Sequence, residues 1–249
     1  MRFLGSIKSR VLKSGPFAPV HVGLWVRMRY FEKYFATKHE RYLPKKARVL
    51  DAGCGRGRYG EKLAGISDSY SIIGYDISEQ KEWEQLRRDN LNFSIKDLHA
   101  FDEKEAFDAI VSVDSLEHIP GNKTIIQKFY NALKKGGILY LAMPSIQQEM
   151  FIFPKSWFQK IYEWEAIEHI GEQYTLDELK KVLQKAGFRV ECSRYTFTFF
   201  GKLAWEIEFL LSEHSPKIRI LLMPLIKLFG LLDIYLSVGT GNNLILARK

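Results

Sequence analysis

Ala47-Arg48-Val49-Leu50-Asp51-Ala52-Gly53-Cys54-Gly55-Arg56-Gly57-Arg58-Tyr59-Gly60 is the stretch whose reading decides how this sequence folds. Val49 and Leu50 form a short apolar run, long enough for a buried parallel strand and too short for a helix. Glycines at 53, 55 and 57 follow, and Tyr59 to Leu63 can begin a helix. Strand, glycine turn and helix together make a corner where a backbone without Cβ atoms lets a ligand come close.

Gly55, Gly57 and Gly60 also satisfy G-x-G-x-x-G, a dinucleotide fingerprint that is weak on its own. Asp51 separates the readings. A carboxylate at the mouth of the turn repels a pyrophosphate, which favours the bare helix N-terminus. The same carboxylate attracts a ligand carrying an ammonium or a sulfonium, so S-adenosylmethionine (SAM) is favoured over NAD. Val-Leu-Asp-Ala-Gly-Cys-Gly-Arg-Gly at 49–57 resembles the first motif of class I SAM-dependent methyltransferases.

That resemblance covers roughly residues 45–190 and the last strand. It implies an α/β fold, a doubly wound, seven-stranded Rossmann-like sheet of order 3-2-1-4-5-7-6, with strand seven antiparallel between five and six. SAM would lie across the C-terminal ends of strands one to four. Asp51, Gly53 and Gly55 would hold its methionine end, Asp76 and Ile77 the ribose, Asp97 and Leu98 the adenine. Asp114 would stand beside the reacting end. The ribose role also has a spacing argument: Asp76 follows a strand and lies 21 residues beyond Gly55, close to where an acid meets ribose hydroxyls in nucleotide-binding sheets. Three other readings stay open. They are a glycine turn with no ligand, a nucleotide-binding oxidoreductase, and a SAM-binding scaffold or sensor without catalysis.

At 249 residues one domain is expected, residues 1–249. Its parts are a basic helical arm or lid (1–44), a SAM-binding core (45–143), an acceptor-side insertion (144–173), and a C-terminal part (174–249) with an apolar helical insertion at 201–239. Cys54 and Cys192 make no disulfide framework, and no signal peptide is evident, so a cytoplasmic enzyme is expected. Residues 1–46 carry eleven Lys or Arg against two acids, a net +9, which leaves −1 for the rest of the +8 chain. An anionic membrane surface, an anionic substrate or RNA could each partner such an arm.

Leu24, Met28, Phe31 and Phe35 predict a helix from Val20 to about Tyr42. Strands are expected at 70–75, 91–95, 107–114, 138–143 and 188–197, a polar helix at 78–89, and another at 122–133 stopped by Gly136-Gly137. Thr175 and Glu178 form a capping box that opens a helix to Ala186. Phe107 to Asp114 with Ser115-Leu116-Glu117-His118-Ile119-Pro120 resembles the family's fourth motif in its small-molecule form. Asn/Asp-Pro-Pro-Tyr, found where base amino groups are methylated, is absent, which disfavours a nucleic-acid substrate. Ile218 to Leu236 holds too many charges, plus Pro224 and Gly230, for a spanning helix. An amphipathic surface segment fits it, with Leu221, Leu222, Leu225, Ile226 and Phe229 dipping into a membrane interface.

Methyl transfer from a sulfonium is an in-line displacement governed by alignment, and a base is needed only if the acceptor must lose a proton. His118 is the first candidate base. His169, preceded by Glu168, is the second. The scattered histidines show no metal-binding spacing, and a small-molecule or lipid-linked acceptor is expected.

Overall fold

The computed structural model describes residues 16–148 and 152–249. Its strands are β1 (Arg48–Ala52), β2 (Ser71–Asp76), β3 (Leu91–Ile95), β4 (Phe107–Val113), β5 (Leu133–Met143), β6 (Arg189–Thr196) and β7 (Asn242–Arg248). They form a seven-stranded sheet of order β3-β2-β1-β4-β5-β7-β6. β1, β2, β3, β4 and β5 pair in parallel, and β7 runs antiparallel to β5. Strand order reverses between β1 and β4, so the crevice beyond their C-terminal ends is where this architecture places a ligand.

The helices are α1 (Val22–Tyr34), α2 (His39–Tyr42), α3 (Arg58–Ala64), α4 (Trp83–Leu86), α5 (Asn122–Ala132), α6 (Gln159–Glu168), α7 (Leu176–Lys185), α8 (Phe199–His214) and α9 (Pro216–Leu236). The chain divides into two compact bodies. One is made of Glu32–Gln147, Glu163–Arg194 and Asn242–Lys249, the other of the described residues within 16–31, 148–162 and 195–241.

The first body holds nearly all of the sheet. Leu50, Ile110, Leu139, Leu141 and Ile245 from the strands pack with Ile125, Ile126 and Phe129 of α5 and Leu179 and Leu183 of α7. Burying side chains of this size contributes about 1.5–3 kcal/mol each. The capping box forms as expected: the Glu178 amide donates to Thr175 Oγ1 at 3.2 Å and the Thr175 amide to Glu178 Oε2 at 2.9 Å.

The second body is pinned by buried carboxylates. Asp233 accepts from the Tyr30 hydroxyl at 2.7 Å and from the Thr198 amide and hydroxyl at 3.1 and 2.6 Å. Glu206 accepts from the Ile152 and Phe153 amides at 2.7 and 2.9 Å. α9 stays helical through Pro224. It buries Met223, Ile226, Gly230, Asp233 and Ile234, and Gly230 lets the backbone pass Trp25 and Val26, which a Cβ would approach to 2.8–2.9 Å.

Four local expectations are corrected. The helix expected at 78–89 is one turn, Trp83–Leu86. That segment has no apolar stripe to bury. Instead its buried Trp83 stacks on Phe93 at 5.1 Å and donates from Nε1 to the Gly55 carbonyl at 2.8 Å. β5 begins at Leu133 directly after α5, with Gly136 at φ +79° absorbing a register shift against β4. The first helix ends at Tyr34, followed by a 3₁₀ turn, Ala36–Lys38, and α2. Its buried residues are Val22, Gly23, Val26, Tyr30 and Phe31; of the expected stripe Phe31 and Phe35 are buried and Leu24 is exposed. Finally, Ile226 is 1% exposed and cannot meet a membrane. Of the basic arm, residues 1–15 lie outside the described residues.

Candidate active site

β1 ends in Asp51, and the chain turns at once through Gly53, Gly55 and Gly57, at φ +69°, +46° and +74°. L side chains rarely adopt these angles. The Gly53 and Cys54 amides both donate to the Tyr75 carbonyl at 2.9 Å, which locks the turn to the end of β2. A Cβ on Gly53 would come within 2.4 Å of Ser115 Cβ, so only glycine lets the ends of β1 and β4 close. Around Gly55 a Cβ would meet nothing within 4 Å. That side of the turn is an open backbone cradle.

Asp51 is 1% exposed and accepts the Gly60 amide at 2.8 Å. Burial lifts its carboxyl to about 7, the Gly60 hydrogen bond opposes the rise, and the Asp76 charge adds to it. Asp76, at the end of β2, accepts the Gly55 amide at 2.8 Å and the Ser78 amide at 3.3 Å. Ile77 after it is 73% exposed. At the end of β3, Asp97 caps the turn Leu98–Ala100 by accepting from the His99 amide at 2.8 Å, and Leu98 is buried. Asp114 follows β4 at φ +49°. The sequence-expected cofactor residues therefore all stand at or just beyond the C-terminal ends of β1, β2, β3 and β4. Burial drives the Cys54 thiol up, which leaves it un-ionised and inert as a nucleophile.

A second cluster lies beyond β4, where two segments distant in sequence meet. The Gly171 amide donates to the Glu117 carbonyl at 2.8 Å, and a Cβ there would strike the Leu116, Glu117 and Ile119 carbonyls. Buried Asn122 donates to the Leu116 and Glu172 carbonyls at 2.9 and 2.8 Å and accepts the Tyr174 hydroxyl at 2.6 Å. These contacts bring the His118 and His169 rings to 5.0 Å between centroids, with Trp164 6.2 and 5.9 Å from them.

His118 Nδ1 is 2.9 Å from the Glu168 carbonyl. A carbonyl only accepts, so the bond places a proton on Nδ1, and in the neutral ring Nε2 is then the acceptor nitrogen. Glu168 thus contributes its backbone, and its side chain is exposed. Burial lowers the pKa of His169 and the neighbouring His118 lowers it further, against the opposing charges of Asp114 and Glu168, which favours its neutral form.

Glu117, His118 and His169 each bring one ligand atom within 4.8 Å of the others, a set able to hold a metal ion. Reading along the sequence misses this group, since His169 lies far from the Glu-His pair. Glu117 is 1% exposed, and a buried acid directly before a loop histidine is the one signal that singles it out.

Residues 27–193 match a family model described as a methyltransferase domain. The mitochondrial ubiquinone biosynthesis O-methyltransferase of Candida albicans is 28% identical over 163 residues, 57% of this chain and 48% of that protein. The ubiquinone biosynthesis O-methyltransferase of Coxiella burnetii is 28% identical over 135 residues, 52% of this chain and 54% of that one. This chain thus spans about half the length of these curated relatives. Among solved structures, Haemonchus contortus phosphoethanolamine N-methyltransferase 2 in complex with SAM superposes with a TM-score of 0.60 at 18% identity, covering 96% of this chain and 59% of that one. The cyclopropane synthase MmaA2 of Mycobacterium tuberculosis gives 0.58 at 18% identity, covering 83% and 79%.

Proposed function

Because the chain belongs to the SAM-dependent methyltransferases through its methyltransferase domain, we propose that it transfers a methyl group from SAM to a hydrophobic small-molecule or lipid-linked acceptor at a membrane surface. The observation that carries the donor assignment is Asp51. A fully buried carboxylate two residues before the glycine turn is costly without a cationic partner, and an ammonium supplies one. A pyrophosphate would add a second negative charge to the same place.

SAM supplies, when bound, a methyl group on a sulfonium whose leaving group is a neutral thioether. The chain's own residues do the rest. Asp51 and the backbone of Gly53 and Gly55 would hold the methionine end, Asp76 and Ile77 the ribose, and Asp97 with Leu98 the adenine. Asp114 would stand beside the reacting end. His118 Nε2 would take the proton of a hydroxyl or amine acceptor, held in that tautomer by the Glu168 carbonyl.

Asp76→Ala is expected to weaken SAM binding about tenfold or more, the loss of a hydrogen bond to a charged group worth ~1.5–3 kcal/mol. Calorimetry on the folded variant checks this, and unchanged affinity would remove Asp76 from the site.

Two sets of exposed apolar residues support a hydrophobic acceptor met at an interface. Beside the histidines, Trp164, Ile167 and Ile170 are 53%, 71% and 62% exposed. On α9, Leu221, Leu225, Leu228, Leu231 and Tyr235 are 68%, 46%, 50%, 38% and 75% exposed, and their spacing puts them along one face. None of the helices among the described residues is long and apolar enough to cross a membrane. A face of this kind lies in the interface plane instead. Full-length protein is expected to sediment with liposomes, and Leu221→Asp/Leu225→Asp/Leu228→Asp to stay in the supernatant while still binding SAM. Equal sedimentation of both proteins would remove the membrane from the proposal.

The acceptor class is tested by incubation with methyl-labelled SAM and separate lipid, saccharide and RNA fractions. Label is expected in the lipid fraction. Label in the RNA fraction alone would overturn the reading.

A further inference from the structure

Both backbone polar groups of Gly55 are held by side chains. Its amide donates to Asp76 Oδ2 at 2.8 Å, and its carbonyl accepts from Trp83 Nε1 at 2.8 Å. A second donor to that carbonyl, Cys54 Sγ, stands off at 3.8 Å. Trp83 is 1% exposed in α4 and stacks on Phe93 of β3, with ring centroids 5.1 Å apart and an interplanar angle of 10°. Phe93 in turn lies where a Cβ on Gly57 or Gly74 would come within 2.5–2.6 Å of its ring. Those two glycines leave room for an aromatic shelf, whereas a Cβ on Gly55 would meet nothing within 4 Å. All of these residues belong to one body. The ion pair between Arg56 and Glu82, the sequence neighbours of Gly55 and Trp83, is 3.5 Å long with Arg56 in solvent and contributes little.

We propose that Trp83 is a positioning residue for the methyl donor: its indole N–H fixes Gly55, at φ +46°, in the conformation that meets SAM. The inference rests on the reading of the glycine turn as the SAM site. The Gly55 amide belongs to the peptide plane before its Cα and the carbonyl to the plane after it. Asp76 and Trp83 therefore each fix one plane, and together they fix both dihedrals. Glycine has the widest backbone freedom of any residue, so a turn that its ligand must order binds more weakly. A turn already held from both sides by the fold is preorganised. A buried indole N–H can only donate and needs a partner, and here that partner is the turn itself.

The test compares Trp83→Phe, which keeps a ring against Phe93 and removes the N–H, with Phe129→Leu, a core truncation in α5 outside the turn. Calorimetric titration is expected to show SAM bound about three- to tenfold more weakly by Trp83→Phe and unchanged by Phe129→Leu. In the free protein, hydrogen exchange of the amides at 53–57 is expected to quicken about threefold or more in Trp83→Phe, with β4 and β5 protected as before. If Trp83→Phe does not fold, Phe93→Leu takes its place: it loosens the shelf under the indole and is expected to weaken SAM binding about two- to fivefold. A wild-type chain that binds SAM, beside a variant that binds it equally well, overturns the proposal and leaves the donor reading standing. Weaker binding without faster exchange at the turn also overturns it, as does an equal loss in Phe129→Leu, which would make Trp83 ordinary core. A wild-type chain that does not bind SAM overturns both the proposal and the donor reading.

Discussion

Replacing His118 with alanine is expected to lower turnover on the true acceptor about 10²–10⁴-fold while leaving SAM affinity near wild type, the signature of a lost general base. The ring is well placed for that split. Its Nδ1 is tied to the Glu168 carbonyl at 2.9 Å, which fixes the tautomer, and it stands beyond β4, outside the residues proposed to hold SAM. His169 cannot take over the role fully, because Gln173 Nε2 lies 3.2 Å from its Nδ1. If that amide donates, the proton of neutral His169 is on Nε2. Steady-state kinetics with calorimetry measures both quantities, and a parallel fall of turnover and SAM affinity would make His118 structural. A chelator separates the remaining reading. Turnover is expected to survive EDTA if His118 is a base, and to collapse with it if Glu117, His118 and His169 act by holding a divalent cation.

Asp51→Asn is expected to weaken SAM binding about thirtyfold or more and, at the same time, to stabilise the free protein at pH 8. Both follow from one buried carboxyl raised to about 7. Truncating a buried partner of a cation costs on the order of 2–5 kcal/mol, hence the affinity loss. The stability sign is the reverse. A group with a raised folded-state pKa stabilises the fold most below its unfolded value near 4 and loses that contribution as pH rises to about 7 and beyond. Asparagine has no charge to desolvate and keeps an oxygen for the Gly60 amide, so Tm should rise at pH 8 and not at pH 4. Wild-type SAM affinity should increase between pH 6 and pH 8 as Asp51 ionises. Thermal melts and titrations at three pH values check this. A variant that is less stable at pH 8 would show Asp51 to be a structural acceptor of the Gly60 amide.

The sheet was legible because the sequence carries its cues locally. Val49-Leu50-Asp51 and the alternate glycines specify strand, turn and helix within 14 residues, and the Thr175–Glu178 capping box reads off directly. The failures came where tertiary contacts override local pattern. Polar residues at 78–89 suggested a helix, but Trp83 is drawn onto Phe93 and the Gly55 carbonyl. Leu24 looked like core beside Phe31, but the buried face of α1 joins Phe31 to Val22, Val26 and Tyr30. Ile226 looked lipid-facing, but in α9 it lies with Met223 and Gly230 on the buried side. At the site, the acids expected from the sequence, Asp51, Asp76, Asp97 and Asp114, each stand at or just beyond a strand end, a position that the apolar runs before them mark in the sequence. The meeting of His118 with His169 depends on Gly171 and Asn122 holding two distant segments together, and no spacing rule reports such contacts.

The central claim is that the glycine turn after β1 holds SAM, and titration of SAM into the purified chain, with NADH as comparison, tests it most directly. Saturable micromolar binding of SAM that is lost in Asp51→Asn, with no binding of NADH, is the predicted result. Micromolar binding of NADH, or SAM affinity unaffected by the substitution, would contradict it.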